Sequence, residues 1–281
     1  MSTAIEPTAN ERSAPGAGRN AARPLPRGAV PAVFRAVQIL DALAAAHGPL
    51  SLAELTRRLG LPKSSVLAIC TSLTQTGMLS RLDNGAYRLG VHLVDLSHAY
   101  LSNIDVTREF VDTWDALDMP PDEGIVLGVL NGTDVVYVAC RNGNLPLGVT
   151  YRIGMRLPAN CTATGKALLS TLSDAQIRAL YRGVEPGKLT AHSHATLKAL
   201  LADLRATRLR GYAIDDEETR EGMRCFGAPV FDASGSHAIA AVAVSTLKRP
   251  DGRGDNPAIP QAVLEFSRAL SKRLGATGAL L

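Results

Sequence analysis

The chain has 281 residues, 46% of them hydrophobic and 20% charged, with a formal net charge of +4, which suits one large or two ordinary domains and excludes disorder throughout. No apolar run reaches the roughly 18 residues of a membrane span and the start lacks the apolar block of a signal peptide, so a cytoplasmic protein with no membrane partner is expected. Charge is uneven, about +5 through Arg88 and about −1 beyond it, the balance of a nucleic-acid module joined to a near-neutral one.

Residues 1–29, rich in Ala, Pro, Gly, Ser, Asn and Arg, bury too little to order themselves and are expected as a disordered tail. Val33, Val37, Leu40 and Ala44 repeat at helical spacing, which predicts a first helix buried on that face and ended by Gly48-Pro49. Ser51 and Glu54 stand at capping-box spacing before the stripe Leu52, Leu55 and Leu59, and Gly60 sits where a left-handed cap belongs. A third helix opens near Pro62, buries Val66, Ile69, Cys70 and Leu73, and stops at Gly77. Met78–Leu82 and Ala86–Leu89 then read as strands around the tight turn Asp83-Asn84-Gly85. Three helices and a hairpin over residues 30–90 make a winged helix-turn-helix. The outer face of its third helix carries Ser64, Ala68, Thr71 and Gln75, flanked by Ser65, Leu67 and Ser72, and is the face that enters a major groove.

Residues 91–104 read as a connecting helix, Val91 to Asn103, leading to residues 105–281. There a helix from Asp105 to Leu117 and the Pro120-Pro121 break precede β-like runs at Gly124–Leu130, Val135–Arg141 and Leu147–Tyr151. Helices follow at Ala163–Leu172, Ser173–Tyr181 and Leu197–Arg210, then strands at Tyr212–Asp215, Cys225–Phe231 and Ala238–Ser245, and a last helix at Pro260–Leu274. Hairpins mixed with helices, without β-α-β alternation, predict an α+β domain with an antiparallel sheet.

Sharper chemistry is weak. Cys70, Cys140, Cys161 and Cys225 form no C-x-x-C pair and read as free thiols. Asp215, Asp216, Glu217 and Glu218 read as solvated acids at a strand end rather than a catalytic or metal site. Gly165-Lys166 lacks the rest of a phosphate loop, and His192-Ser193-His194 reads as a loop rather than a metal pair. No catalytic residue, metal or cofactor is therefore expected.

The stretch SLAELTRRLGLPKSSVLAICTSLTQTGMLSRLDNGAYRLG resembles the DNA-binding domain of the IclR family of bacterial transcription regulators, including the P-K-S-S that opens its third helix and the Y-R-L-G that closes its wing. VVYV at 135–138, RLPANCTATGKALL at 156–169 and RGYAIDDEETREGMRCFGAPVFD at 210–232 resemble the family's GAF-like effector-binding domain, so the likeness runs from Val33 to Leu274. It implies a transcriptional regulator, expected as a repressor with activation left open by these residues, whose operator binding responds to a small carboxylate-bearing metabolite, acting as a homodimer or homotetramer with the connecting helix contributing to assembly. Arg57, Arg58, Lys63, Arg81 and Arg88 are the implied phosphate contacts, and Ser64, Ser65, Ala68, Thr71 and Ser72 the groove-facing ones. Leu67-Ala68 stands where the family often has His-Arg, which removes a cation from the groove, and Asn160 stands in place of a frequent His.

The implied effector pocket holds Leu157, Ala163, Thr164, Gly165, Asp215, Met223, Cys225 and Ser245. Free N–H groups at a helix start suit a carboxylate there, and Thr162 or Thr164 adds a hydroxyl. Two other readings remain beside this one: a ligand-independent DNA-binding protein, and an enzyme using the second domain's acids and thiols.

Overall fold

The computed structural model describes residues 29–46, 48–102, 105–117, 123–143, 150–248 and 258–276, and the chain divides into two compact units between Tyr100 and Leu101. The expected tail lies outside the described residues apart from Ala29, as do Asn103, Pro120, Pro121 and most of the run expected as a strand at Leu147–Tyr151.

In the first unit α1 (Pro31–Ala46), α2 (Leu52–Leu59) and α3 (Lys63–Gln75) precede the hairpin β1 (Leu79–Arg81) and β2 (Tyr87–Leu89), then α4 (His92–Ser102). The capping box forms as expected: the Ser51 and Glu54 side chains each accept the other's backbone N–H, and α2 ends on Gly60 at φ 63°, a left-handed conformation that costs glycine least. The core contains Ile39, Leu43, Leu50, Leu55, Val66, Cys70, Leu79 and Tyr87. One expectation fails in α1: Val33, Val37 and Ala44 face solvent, Leu40 is half-buried, and Ile39 and Leu43 fill the core instead. α1 carries two apolar stripes, so its periodicity identifies a helix without saying which stripe is buried. Leu50 exchanges backbone hydrogen bonds with Tyr87 at 2.9 and 2.8 Å, a single-residue bridge that ties the segment between α1 and α2 to the wing.

In the second unit the elements are α5 (Asp105–Ala116), β3 (Gly124–Asn131), β4 (Asp134–Arg141), β5 (Arg156–Pro158), α6 (Ala163–Ser170), α7 (Asp174–Leu180), α8 (Leu197–Arg210), β6 (Ala213–Asp216), β7 (Met223–Phe231), β8 (Ala238–Leu247) and α9 (Ala258–Arg273). The six strands form one antiparallel sheet in the order β5-β4-β3-β8-β7-β6, the α+β architecture expected. Strand alternation divides the core. Ile125, Leu127, Phe226, Val242 and Val244 pack with Phe110 of α5 and Val263 and Phe266 of α9. Val126, Cys225, Ala241 and Ala243 pack with Ala163 and Ala167 of α6. The small residues of that second set bring α6 close to the sheet: a Cβ on Gly227 would lie 2.6 Å from the Ala163 carbonyl oxygen. That approach fixes where the first turn of α6 points. The short strand β5 was not legible in the sequence pattern, since three residues are too few to alternate.

Candidate functional site

In the first unit α3 exposes Ser64, Leu67, Ala68, Thr71, Ser72 and Gln75 and half-buries Ser65, the face expected to look outward. The Thr71 and Ser72 hydroxyls donate to the carbonyls of Leu67 and Ala68 at 2.9 and 3.1 Å, which leaves their oxygen lone pairs facing out as acceptors. Arg57 and Arg58 are exposed in the last turn of α2 and Lys63 opens α3. On the wing Arg81 and Arg88 are exposed, with the Arg81 guanidinium 5.8 Å from the centre of the Tyr87 ring. The helix face thus offers hydroxyls, a methyl and Leu67, while the long cations stand at its N-terminus, on α2 and on the wing. This distribution suits phosphate neutralisation around a lightly polar reading face.

A cleft in the second unit lies between the start of α6 and the sheet. Of the eight expected residues Ala163, Thr164, Asp215, Met223, Cys225 and Ser245 line it. Leu157 is buried in the same cluster without reaching the cleft wall. Gly165 serves packing, because a Cβ there would lie 2.3 Å from the Ala159 carbonyl oxygen. Tyr137 and Tyr151, both in the wall, were missed. Tyr137 sits inside the VVYV run and reads as an ordinary strand core residue, and Tyr151 closes the run expected as a strand at Leu147–Tyr151, which gave no sign of a cleft.

Local structure sets the polarity of this cleft. Thr162 caps α6 by accepting the Gly165 N–H at 3.0 Å, while the Ala163 and Thr164 N–H groups have no acceptor among the described residues. Two unpaired donors at the positive end of a helix favour an anion or a ligand oxygen. Across the cleft the Tyr151 hydroxyl lies 2.5 Å from Ser245 Oγ, which also accepts from Cys225 Sγ at 3.2 Å. Tyr137 meets Tyr151 edge to face, ring centres 5.5 Å apart. Burial raises the pKa values of Cys225, Tyr151 and Tyr137, so all three stay protonated at neutral pH and act as hydrogen-bonding groups, with no thiolate present.

The acid run departs from its expectation. Asp216 and Glu217 do sit toward solvent, paired with Arg224 and Lys248. Asp215 and Glu218, however, are 1% and 4% exposed. Glu217 takes a left-handed turn at φ 64°, and the chain beyond it folds back so that Asp215 Oδ1 accepts the Glu218 and Thr219 N–H groups at 2.8 and 3.1 Å. Burial raises the Asp215 pKa, against hydrogen bonds from Thr219 and the field of Lys166. Glu218 meets the ammonium of Lys166, a fully buried lysine whose Nζ also lies 3.0 Å from Asp203 Oδ2. Burial pushes Glu218 up to about 7 in spite of Lys166, with Asp215 and Asp203 adding to the rise. His194 Nε2 stands 3.8 Å from the same carboxylate, and the Ser193 hydroxyl donates to the Glu218 carbonyl at 2.7 Å. This buried cluster was missed too, and its signal was a lysine set in the small and apolar run Ala163–Leu169.

Among the described residues no group of three or more His, Cys, Asp or Glu is placed to hold a metal ion, and no helix is long and apolar enough to cross a membrane.

Comparison with known proteins places this geometry. The family model for the bacterial transcriptional regulator IclR C-terminal domain matches residues 98–272, and that for the IclR helix-turn-helix domain matches residues 32–83. The HTH-type transcriptional regulator XynR of Escherichia coli (strain K12) is 32% identical over 247 residues, 88% of this chain and 98% of that one. Among solved structures, the repressor BlcR of Agrobacterium tumefaciens is 40% identical with a TM-score of 0.57, over 89% of this chain and 99% of that one. An IclR homolog from Microbacterium hydrocarbonoxydans, solved in complex with 4-hydroxybenzoate, is 17% identical with a TM-score of 0.75, over 88% of this chain and 100% of that one, a likeness of fold. These relatives are transcription regulators rather than enzymes, which removes the enzyme alternative.

Proposed function

This chain belongs to the IclR family of bacterial transcriptional regulators, and from that footing we propose that it represses transcription in response to a small carboxylate bound in the cleft at the start of α6. The observation that carries the ligand class is that Ala163 and Thr164, whose N–H groups have no acceptor among the described residues, line the same cleft as Ser245 and Tyr151. A carboxylate seated there has two backbone donors on one side and hydroxyls on the other.

Asp215 shares this cleft, and two carboxylates close together cannot both ionise cheaply. Its raised pKa supports an arrangement in which binding takes up one proton, shared between the ligand and Asp215. The ligand acts as an effector only by binding one state of the protein better than another, and α4, which leaves the wing at His92, is the natural lever. In the DNA-bound state Lys63, Arg57, Arg58, Arg81 and Arg88 contact phosphate, and the α3 face reads the major groove with Ser64, Ser65, Ala68, Thr71 and Ser72. A homodimer or homotetramer in the cytoplasm completes the reading, since paired reading heads match paired half-sites.

Isothermal titration calorimetry of the full chain with acetate, glyoxylate, pyruvate and succinate tests the ligand class. At least one of these acids binds, and Ser245→Ala weakens it about tenfold, the scale of one or two lost hydrogen bonds. No heat from any of the four contradicts the carboxylate assignment.

A further inference from the structure

The cleft is nearly full, with room for about one water molecule, and the group that fills it comes from outside the sheet and outside α6. Tyr151 lies in the described loop segment at 150–155, yet is 5% exposed. Its backbone is clamped by one side chain: the Tyr151 N–H donates to Asn142 Oδ1 at 2.7 Å, and the Tyr151 carbonyl accepts from Asn142 Nδ2 at 3.2 Å. Its ring lies on β3 at Gly124, where an added Cβ would stand 3.4 Å from Tyr151 Cε2. Its hydroxyl ends on Ser245. The phenol is therefore held at the backbone, along the ring and at the tip, beside the donors at the start of α6.

Given the reading of the cleft as the effector site, we infer that Tyr151 sets its specificity, occupying with its own ring the space an aromatic acid needs and restricting the effector to carboxylates of a few non-hydrogen atoms. A small acid gains its room from Met223, whose unbranched thioether lines the cleft and repacks at low cost. An aromatic acid needs the phenol itself withdrawn, which breaks the hydroxyl's contacts with Ser245 and Met223 while Asn142 still holds the Tyr151 backbone beside the cleft. Removing the ring leaves a hole of the same shape, and an engineered apolar cavity of about 150 Å³ is enough to take up benzene. The hydroxyl plays a separate part: it holds Ser245 in place, so losing it alone leaves the size limit intact. Tyr151 is thus a specificity residue in this chain, and its test separates the ring from the hydroxyl.

The experiment is calorimetry with two named probes, pyruvate and 4-hydroxybenzoate, on the full-length protein and its Tyr151→Phe, Tyr151→Ala and Tyr151→Leu variants, the last kept in case the alanine variant fails to fold. The expected result is that the wild-type protein and Tyr151→Phe exclude 4-hydroxybenzoate, whereas Tyr151→Ala or Tyr151→Leu binds it at least tenfold more tightly than wild type. Wild-type binding of 4-hydroxybenzoate within tenfold of pyruvate overturns the inference, and so does a folded Tyr151→Ala or Tyr151→Leu protein with no gain. If none of acetate, glyoxylate, pyruvate and succinate binds any of the proteins while the truncated variants gain 4-hydroxybenzoate, the small-carboxylate assignment fails and the role of Tyr151 stands. If pyruvate binds wild type and truncation gains nothing, the reverse holds.

Discussion

Lys166 Nζ rests on Glu218 Oε1 with the lysine side chain at 0% exposure and the glutamate at 5%. α6 and the turn between β6 and β7 are thereby pinned together behind the cleft, the same two segments that supply Thr164 and Thr219 to its wall. A buried ion pair of this kind is expensive to form and more expensive to break by halves.

Replacing Lys166 by Met leaves Glu218 a buried acid without its cation, while the half-buried Asp203 keeps Arg210 at 3.8 Å. The expected loss is about 3 to 5 kcal/mol of folding stability, read from urea denaturation at pH 7.5. The double variant Lys166→Met/Glu218→Gln recovers part of it, because the stranded charge is removed with its partner. A loss below about 1 kcal/mol in the single variant contradicts the pairing.

The same cluster fixes a pH dependence. Glu218 is raised by burial from its ordinary 4.5 to about 7, so between those values the folded state holds a proton that the unfolded state has released. Stability from this group is therefore present in full below about 4.5 and is lost as pH rises through about 7. Glu218→Gln cannot titrate, and the decline of melting temperature between pH 5 and 8 flattens in that variant. An unchanged slope between the two proteins contradicts the assignment.

Asp215 is likewise held above its ordinary value by burial, and a bound carboxylate raises it further. Carboxylate affinity accordingly strengthens as pH falls, with a proton taken up on binding. Asp215→Asn keeps an acceptor for the Glu218 and Thr219 N–H groups and removes the competing charge, so its affinity is higher at pH 8 and nearly independent of pH. Calorimetry in two buffers of different ionisation enthalpy reads the proton directly; equal heats in both argue against sharing.

On the DNA side, Lys63 and Arg88 lie at the margins of the reading face. Either residue changed to Ala weakens operator and scrambled DNA alike and lowers the slope of log affinity on log salt by about 0.9. Thr71→Ala acts on the operator alone, by about 1 to 3 kcal/mol if its hydroxyl reads a base edge. Anisotropy titrations at several salt concentrations distinguish the two behaviours.

The sequence carried local structure well where short-range chemistry decides it. Ser51 with Glu54, Gly60, and Asn84-Gly85 each specify a cap or turn through atoms a few residues apart, and each forms as expected. It carried the outward face of α3 for the same reason, since Val66 and Cys70 fix that helix's inner side. It could not choose between the two stripes of α1, because that choice depends on partners such as Leu55 and Tyr87, distant along the chain. The cleft shows the same divide. Ala163, Thr164, Asp215, Met223, Cys225 and Ser245 were expected there through resemblance to a family, whereas Tyr151 reaches the cleft from a loop and Glu218 is buried behind it through a left-handed turn at Glu217. A left-handed turn leaves no periodic trace, and the β-like run read at Leu147–Tyr151 does not tell which cavity its last side chain enters.

On the proposed function, a carboxylate bound in the second unit changes what the first unit does to DNA. Fluorescence anisotropy of the full-length protein, on a duplex from upstream of its own gene and on a scrambled duplex, measures this with and without glyoxylate, pyruvate and succinate. Selective binding to the first duplex is expected, with a shift in its Kd of roughly 5- to 150-fold with one of the acids, which in Ser245→Ala requires about tenfold more acid. An acid that saturates the protein in calorimetry and leaves that Kd unchanged contradicts it.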